Sequence, residues 1–227
     1  MQGAPDRGPL TRTLERMAGR VLSVNLGIVT VASWASDAGR TGIDKRPVAS
    51  TRATTTGLVG DHIFDVPGHG GVDQAAYAYA AEDAAWWARE MGREIGPGRF
   101  GENLTTEGVE VTGAVIGERW QVGTTVLEVS APRIPCRVFA GFWEVPDLIK
   151  RFTAHGAPGA YLRVLVEGEL STGDAVEVVH RPAHGVTIGE TFRALTLEPE
   201  LLPHLLEAPE LPTHIRERAA RRVATQA

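Results

Sequence analysis

Cysteine is almost absent: Cys136 is the only one in 227 residues. One thiol forms no internal disulfide, which excludes a small secreted scaffold stapled by bridges. No apolar run approaches the ~20 residues that a membrane-spanning helix needs. The N-terminal stretch carries Arg7, Arg12 and Arg16 but lacks the continuous apolar segment of a signal peptide. A cytoplasmic address without a membrane partner is the default expectation. An excess of positive charge is also missing. The net charge of −5 argues against a chain-wide nucleic-acid footprint. Arg216, Arg218, Arg221 and Arg222 read instead as the solvated face of a helix, their cations complementing its negative end. No repeat or low-complexity tract is present.

What is present is an ordinary globular mixture, 43% hydrophobic and 22% charged, ample for a core. Residues 1–18 read as a flexible polar tail. Met17 is a candidate natural start, and the first 16 residues are expected to be dispensable. Strands are expected at Val21–Asn25, weakly over Val48–Thr54, at Ala75–Tyr79, over 109–116, 119–122 and 125–130, at Tyr161–Val166 and at Asp174–Val179. Residues 33–47 read as loop, with a strand entry left open near Gly42-Ile43, and Pro67–Gly71 as a tight loop whose glycines permit close backbone approach. Helices are expected from Glu82 to Met91 and from Pro146 to Ala154, stopped by Gly92 and Gly156. Trp86 and Trp87 are adjacent and cannot share one helix face, so one belongs to the core and one to the rim.

After His180 the pattern turns helical, with segments at Thr187–Leu195, Glu200–Leu206 and Thr213–Arg222. Thr187 with Glu190 fits a capping box. The expected fold class is therefore α+β: a β-barrel-like core over 19–181 with inserted helices, then a small three-helix unit over 186–224. That unit has too little to bury by itself, so it packs on the barrel or on a second subunit.

Cys136 lies in Ser130-Ala131-Pro132-Arg133-Ile134-Pro135-Cys136-Arg137, directly after a strand. A lone cysteine is most often a small buried apolar side chain. Here two prolines break the ladder and stiffen the turn. Two flanking arginines lower the thiol pKa if their charges face it. A thiolate in such a turn is a nucleophile and a soft-metal ligand.

Four segments occur in a fixed order: Gly57-Leu58-Val59-Gly60-Asp61, His69-Gly70-Gly71-Val72-Asp73-Gln74-Ala75, Phe100-Gly101-Glu102-Asn103-Leu104 and Pro132-Arg133-Ile134-Pro135-Cys136. Together they resemble MOSC domains, the molybdenum-cofactor sulfurase C-terminal domains. With the helical tail, the chain is most similar to the subfamily linked to 6-hydroxylaminopurine resistance. The resemblance covers about residues 20–222. It departs after His-Gly-Gly, where the family often has Pro, then Asp and Lys or Arg. Here Val72, Asp73 and Gln74 remove that cation, leaving Arg40, Lys45, Arg52, Arg133 and Arg163 to supply positive charge.

The resemblance implies a barrel that binds the molybdenum cofactor, a phosphorylated pterin presenting a dithiolene to the metal. Cys136 then matches the residue that supplies a further sulfur to molybdenum. Backbone N–H groups at Gly70 and Gly71 are candidates for a phosphate nest. Arg133, Arg163 and Lys45 are candidate cofactor contacts, and Asn103 is a candidate hydrogen-bond partner of the pterin or substrate. Each has a plain structural alternative: His69 as a loop residue, Asn103 as a turn stabiliser, Asp61 as a cap or an ion-pair partner.

The implied activity is oxidoreduction of N-hydroxylated small molecules such as N-hydroxylated bases, with Cys136 and His69 catalytic and His69 donating a proton. No flavin, haem or iron–sulfur signature is present, so electrons come from a separate reductase. Two other readings stay open. Cys136 could carry a persulfide, or the barrel could store the cofactor while its helical tail makes a homodimer. Nothing marks Lys45 or Lys150 as a Schiff-base lysine, so pyridoxal phosphate is not expected.

Overall fold

The computed structural model describes residues 19–35 and 39–226. The tail expected over residues 1–18 lies outside them. Strands β1 (Gly19–Gly27), β2 (Thr30–Val31), β3 (Arg40–Thr41), β4 (Lys45–Val48), β5 (Ser50–Thr54) and β6 (Gly57–Leu58) come first. They are followed by α1 (Val66–His69), β7 (Ala76–Ala80), α2 (Ala81–Met91), β8 (Leu104–Glu107), β9 (Arg119–Val122) and β10 (Thr125–Pro132). Next come α3 (Arg137–Trp143), α4 (Leu148–His155), β11 (Ala160–Val166), β12 (Gly168–Ser171) and β13 (Ala175–His180). The chain ends in α5 (Ile188–Thr196), α6 (Leu202–Leu205) and α7 (Thr213–Gln226).

The fold is α+β. Seven strands in the order β13-β9-β10-β11-β7-β8-β1 close into a barrel through pairing of β1 with β13, and β4 adds to β1 from outside. The one parallel pair in this ring, β7 with β8, is bridged by the crossover containing α2, as parallel neighbours require. Closure removes the exposed strand edges.

Strand alternation sorts two cores. In β7 the alanines Ala76, Ala78 and Ala80 point into the barrel with Trp120, Leu127, Val129 and Leu162. Tyr77 and Tyr79 point outward into an aromatic cluster with Trp87, Phe100, Phe139, Trp143 and Phe152. That follows from the two-residue period of a strand. Of the tryptophan pair, Trp87 is fully buried and Trp86 only partly, as their adjacency demands.

Several expectations change. The loop expected over 33–47 contains β3 and the start of β4, and the loop expected at Pro67–Gly71 begins inside α1. The run 109–116 is not a strand but a buried loop, tied to the C-terminal segment by Ile116 N–H to Val186 O and Ile188 N–H to Ala114 O. Helix α3 was masked in the sequence by β-favouring Val138, Phe139, Phe142 and Trp143; burial of Phe139 and Trp143 overrides that propensity. Thr187 does cap α5 by accepting from the Glu190 N–H, but Glu190 turns its carboxylate to His204 instead of completing the box. Helices α5 to α7 add Ile188, Leu202, Leu205 and Ala219 to the barrel's own apolar cluster.

Candidate active site

A cavity of about 90 Å³ opens where the β10–α3 turn meets α1, β7, β11 and the segment 40–45. Cys136 lies on its wall as a free, half-buried thiol. Strand β10 ends at Pro132, and Pro135 prevents it from resuming, so the chain turns and Cys136 precedes the first turn of α3. Burial alone pushes the thiol pKa up. The His69 hydrogen bond, the Arg133 charge, the His69 charge and the Phe139 amide outweigh it and bring the thiol down to about 6. At neutral pH the sulfur is a thiolate.

Arg133 is the cation that faces it. The side chain is 5% exposed and its guanidinium lies over the rings of Tyr77 and Phe139, 5.2 and 4.8 Å from their centroids. Nη1 donates to the Phe100 carbonyl at 2.6 Å. Among the described residues no carboxylate forms an ion pair with Arg133, and Tyr77, Tyr161 and Cys136 raise its pKa against burial. A buried cation is costly unless an anion balances it. Cys136 is a nearby group that can carry such a charge.

His69 ends α1 and reaches the Cys136 sulfur. Its Nδ1 lies 2.9 Å from the Tyr161 hydroxyl, and its Nε2 lies 4.0 Å from Asp65 Oδ2. Asp65 in turn caps α1 by accepting from the Gly68 N–H at 3.2 Å.

Lys45 borders the cavity, but its ammonium is paired with Asp61 at 2.5 Å, both side chains being almost fully buried. Burial lowers the Lys45 pKa against the pull of Asp61. Burial would raise that of Asp61, but the Lys45 charge, the Gly27 N–H and Asn103 hold it below the ordinary value. Asn103 also lines the cavity, yet its amide is occupied. Oδ1 accepts from the Tyr77 N–H at 3.1 Å, and Nδ2 donates to Asn25 O and to Asp61 Oδ2 at 3.2 and 2.8 Å. Lys45, Asp61 and Asn103 thus form a latch that holds the 57–65 loop on the barrel.

The structure brings Cys136, His69, Arg133, Lys45 and Asn103 to one cavity and leaves out the other expected contacts. Arg163 lies outside the cavity wall, held by Asp73 at 2.5 Å and Glu128 at 3.0 Å. No nest forms at Gly70, because the His69 and Gly70 N–H groups close the α1 turn onto Asp65 O and Val66 O. Gly71 follows with φ +84, a conformation that favours glycine at this sharp exit, but it does not line the cavity. Of the arginines flanking Cys136, Arg133 supplies the lowering charge.

Sequence reasoning missed Tyr77, Tyr161, Gln74 and Asp65. The signal for Tyr77 was its place in an alternating Ala-Tyr strand, whose tyrosines share one face.

A family profile described as MOSC domain matches residues 65–177. The chain is 34% identical over 169 residues to the Bacillus subtilis protein YflK, covering 74% of this chain and 76% of that one. The chain belongs to the MOSC family. The crystal structure of YiiM from Geobacillus stearothermophilus superposes with a TM-score of 0.75 at 28% identity, over 90% of this chain and 98% of that one. A fungal protein named reductase, from Gibberella moniliformis, is 31% identical over 163 residues, 70% of this chain but only 29% of its own length. The MOSC match runs from Asp65 to Glu177 and so contains His69, Tyr77, Arg133, Cys136 and Tyr161, whereas Lys45 and Asp61 fall before it. Among the described residues no helix is long and apolar enough to cross a membrane.

Proposed function

We propose that this MOSC protein is a molybdenum-cofactor oxidoreductase that reduces N-hydroxylated small molecules, with Cys136 as the protein's sulfur ligand. One observation carries the reading: a half-buried sulfur with a lowered pKa borders the cavity beside a buried guanidinium that forms no ion pair with a carboxylate among the described residues.

The residues present fit such a group. Thiolate sulfur suits a soft metal site. Among the described residues no three ligating side chains cluster, so the wall suits a metal that arrives with its other ligands and not a bare ion. The wall also holds an unused acceptor, since Gln74 Oε1 is buried without a donor. At about 90 Å³ this open-mouthed cavity is below the roughly 300–1,000 Å³ of common ligand clefts. It therefore suits the metal end of the cofactor and not the whole of it.

Bound there, the cofactor would supply two-electron reduction of the N–O bond. The overall change breaks that bond and consumes two electrons and two protons, leaving an amine and water. Cys136 anchors, and Arg133 keeps its sulfur ionised. His69 delivers a proton as the oxygen leaves. Tyr77 and Tyr161 wall the site against water. Electrons come from a separate reductase. The fungal relative supports that division of labour, being named reductase with most of its length lying beyond the matched part.

The test is to purify the protein from cells that make the cofactor, then measure bound molybdenum and the reduction of 6-hydroxylaminopurine with a chemical electron donor. Cys136→Ser is expected to lose both. Full metal content and full rate in that variant overturn the reading. An added sulfur atom on Cys136 by mass spectrometry, without molybdenum, favours sulfur transfer instead.

A further inference from the structure

Among the described residues that line the cavity, Gln74 alone has a buried side-chain polar atom without a hydrogen-bond partner, its Oε1. Its Nε2 bonds to no described residue either. Other polar side chains of the same wall are engaged: Asn103 by Tyr77, Asn25 and Asp61, Lys45 by Asp61, and Arg133 by Phe100 O. The backbone under Gln74 is tied from three sides. The Gln74 N–H donates to Gly71 O at 3.0 Å, Arg163 Nε donates to Asp73 Oδ1 at 2.5 Å, and Ser130 Oγ donates to Asp73 O at 2.5 Å. The amide thus stands on a fixed turn with neither end used.

A buried acceptor without a donor is costly, and folded proteins pair nearly all of them. A ligand that brings the donor removes that cost, and a turn already ordered leaves little ordering to binding. A primary amide carries an acceptor and a donor side by side in one plane. Its χ3 is a broad torsion, so the amide can turn that edge to the cavity. The complement is a planar ligand edge with a donor beside an acceptor, such as an exocyclic N–H beside a ring nitrogen; glutamine pairs with adenine in this way. The cavity is open-mouthed, so only that edge has to enter it. Ile43, Ile63, Phe64 and Val138 on the wall have no side-chain hydrogen bonds to offer. We infer that Gln74 is a specificity-determining residue that selects ligands with an N–H beside a ring nitrogen over amines and hydroxylamines that lack this edge. That the selected ligand is a substrate rests on the function proposed above; the recognition does not.

Titration calorimetry on the protein as purified tests the inference, with adenine and purine as probes; purine has the ring nitrogens but no exocyclic amino group. The wild type is expected to bind adenine on the order of tenfold tighter than purine, the effect of one hydrogen-bonded edge. Gln74→Met, which keeps the length and removes the amide, is expected to erase that preference. Equal affinities in the wild type, or binding of neither probe, overturn the inference even if Gln74→Met fails to fold. An unchanged preference in folded Gln74→Met overturns it too, and leaves water as the partner of Gln74 Oε1. In cofactor-loaded protein, kcat/KM for 6-hydroxylaminopurine is compared with that for N-phenylhydroxylamine, which has the N–H but no ring nitrogen. Their ratio is expected to fall on the order of tenfold in Gln74→Met. A Gln74-dependent preference for adenine in protein without reductase activity upholds the recognition and removes the proposed reaction. Reductase activity with a ratio that Gln74→Met leaves unchanged upholds the reaction and overturns the recognition.

Discussion

Arg133 and Cys136, three residues apart on one turn, line the same cavity, and the charge of the buried guanidinium joins the His69 hydrogen bond in lowering the pKa of the half-buried thiol. Separate elements hold the two ends. Phe100 O and the rings of Tyr77 and Phe139 fix the cation, while His69 on α1 holds the sulfur.

The pH dependence of Cys136 alkylation follows. With the thiol lowered to about 6, iodoacetamide should react with a midpoint near 6 and a plateau by neutral pH. His69→Gln should move the midpoint up by about one unit or more, since it removes a hydrogen bond and a charge that favour the thiolate. A midpoint near the ordinary thiol value in the wild type would refute the pair.

The Lys45–Asp61 latch is expected to be structural. Removing one partner of a buried ion pair costs about 3–5 kcal/mol, so Lys45→Met should show a loss of that size in urea unfolding. Asp61 has a folded pKa below its unfolded value of 3.8. Its contribution is thus present above that value and lost as pH falls through the folded pKa. The wild type should lose stability more steeply than Asp61→Asn in that acid range.

Asp83 has the opposite sign. Burial first, then Glu110 and Glu82, raise its pKa to about 6. The folded state therefore binds more protons than the unfolded state between the unfolded value of 3.8 and about 6, and stability falls as pH rises through that window. Asp83→Asn should stabilise the protein at pH above about 6 and have little effect near pH 4. Equal melting shifts at both pH values would contradict this.

Arg163 should behave as scaffold. Arg163→Met breaks its bonds to Asp73 and Glu128 and is expected to cost about 1–3 kcal/mol, without moving the alkylation midpoint of Cys136. A shifted midpoint would place Arg163 in the site after all.

Gly42 sets the far wall. A Cβ there would lie 1.7 Å from His62 O, so Gly42→Ala must push back the segment that carries Ile63, Phe64 and Asp65. A loss of about 1–3 kcal/mol is expected in thermal unfolding.

The sequence alone determined most of the barrel strands and the proline-bounded turn that carries the thiol. Alternation in Ala76–Ala80 and Arg119–Val122, and the prolines around Cys136, are local signals. They depend on side-chain period and backbone restriction, which act within a few residues. The same locality explains what was misread. Val111–Ile116 has the apolar content of a strand, but its backbone partners Val186 and Ile188 are some seventy residues away. Arg163 and Arg133 look alike as charged residues beside strands. Only the folded chain gives one to Asp73 and Glu128 and leaves the other for a thiolate. Tertiary structure decided that difference, because a charge is assigned its partner by distance through space, which sequence spacing does not fix.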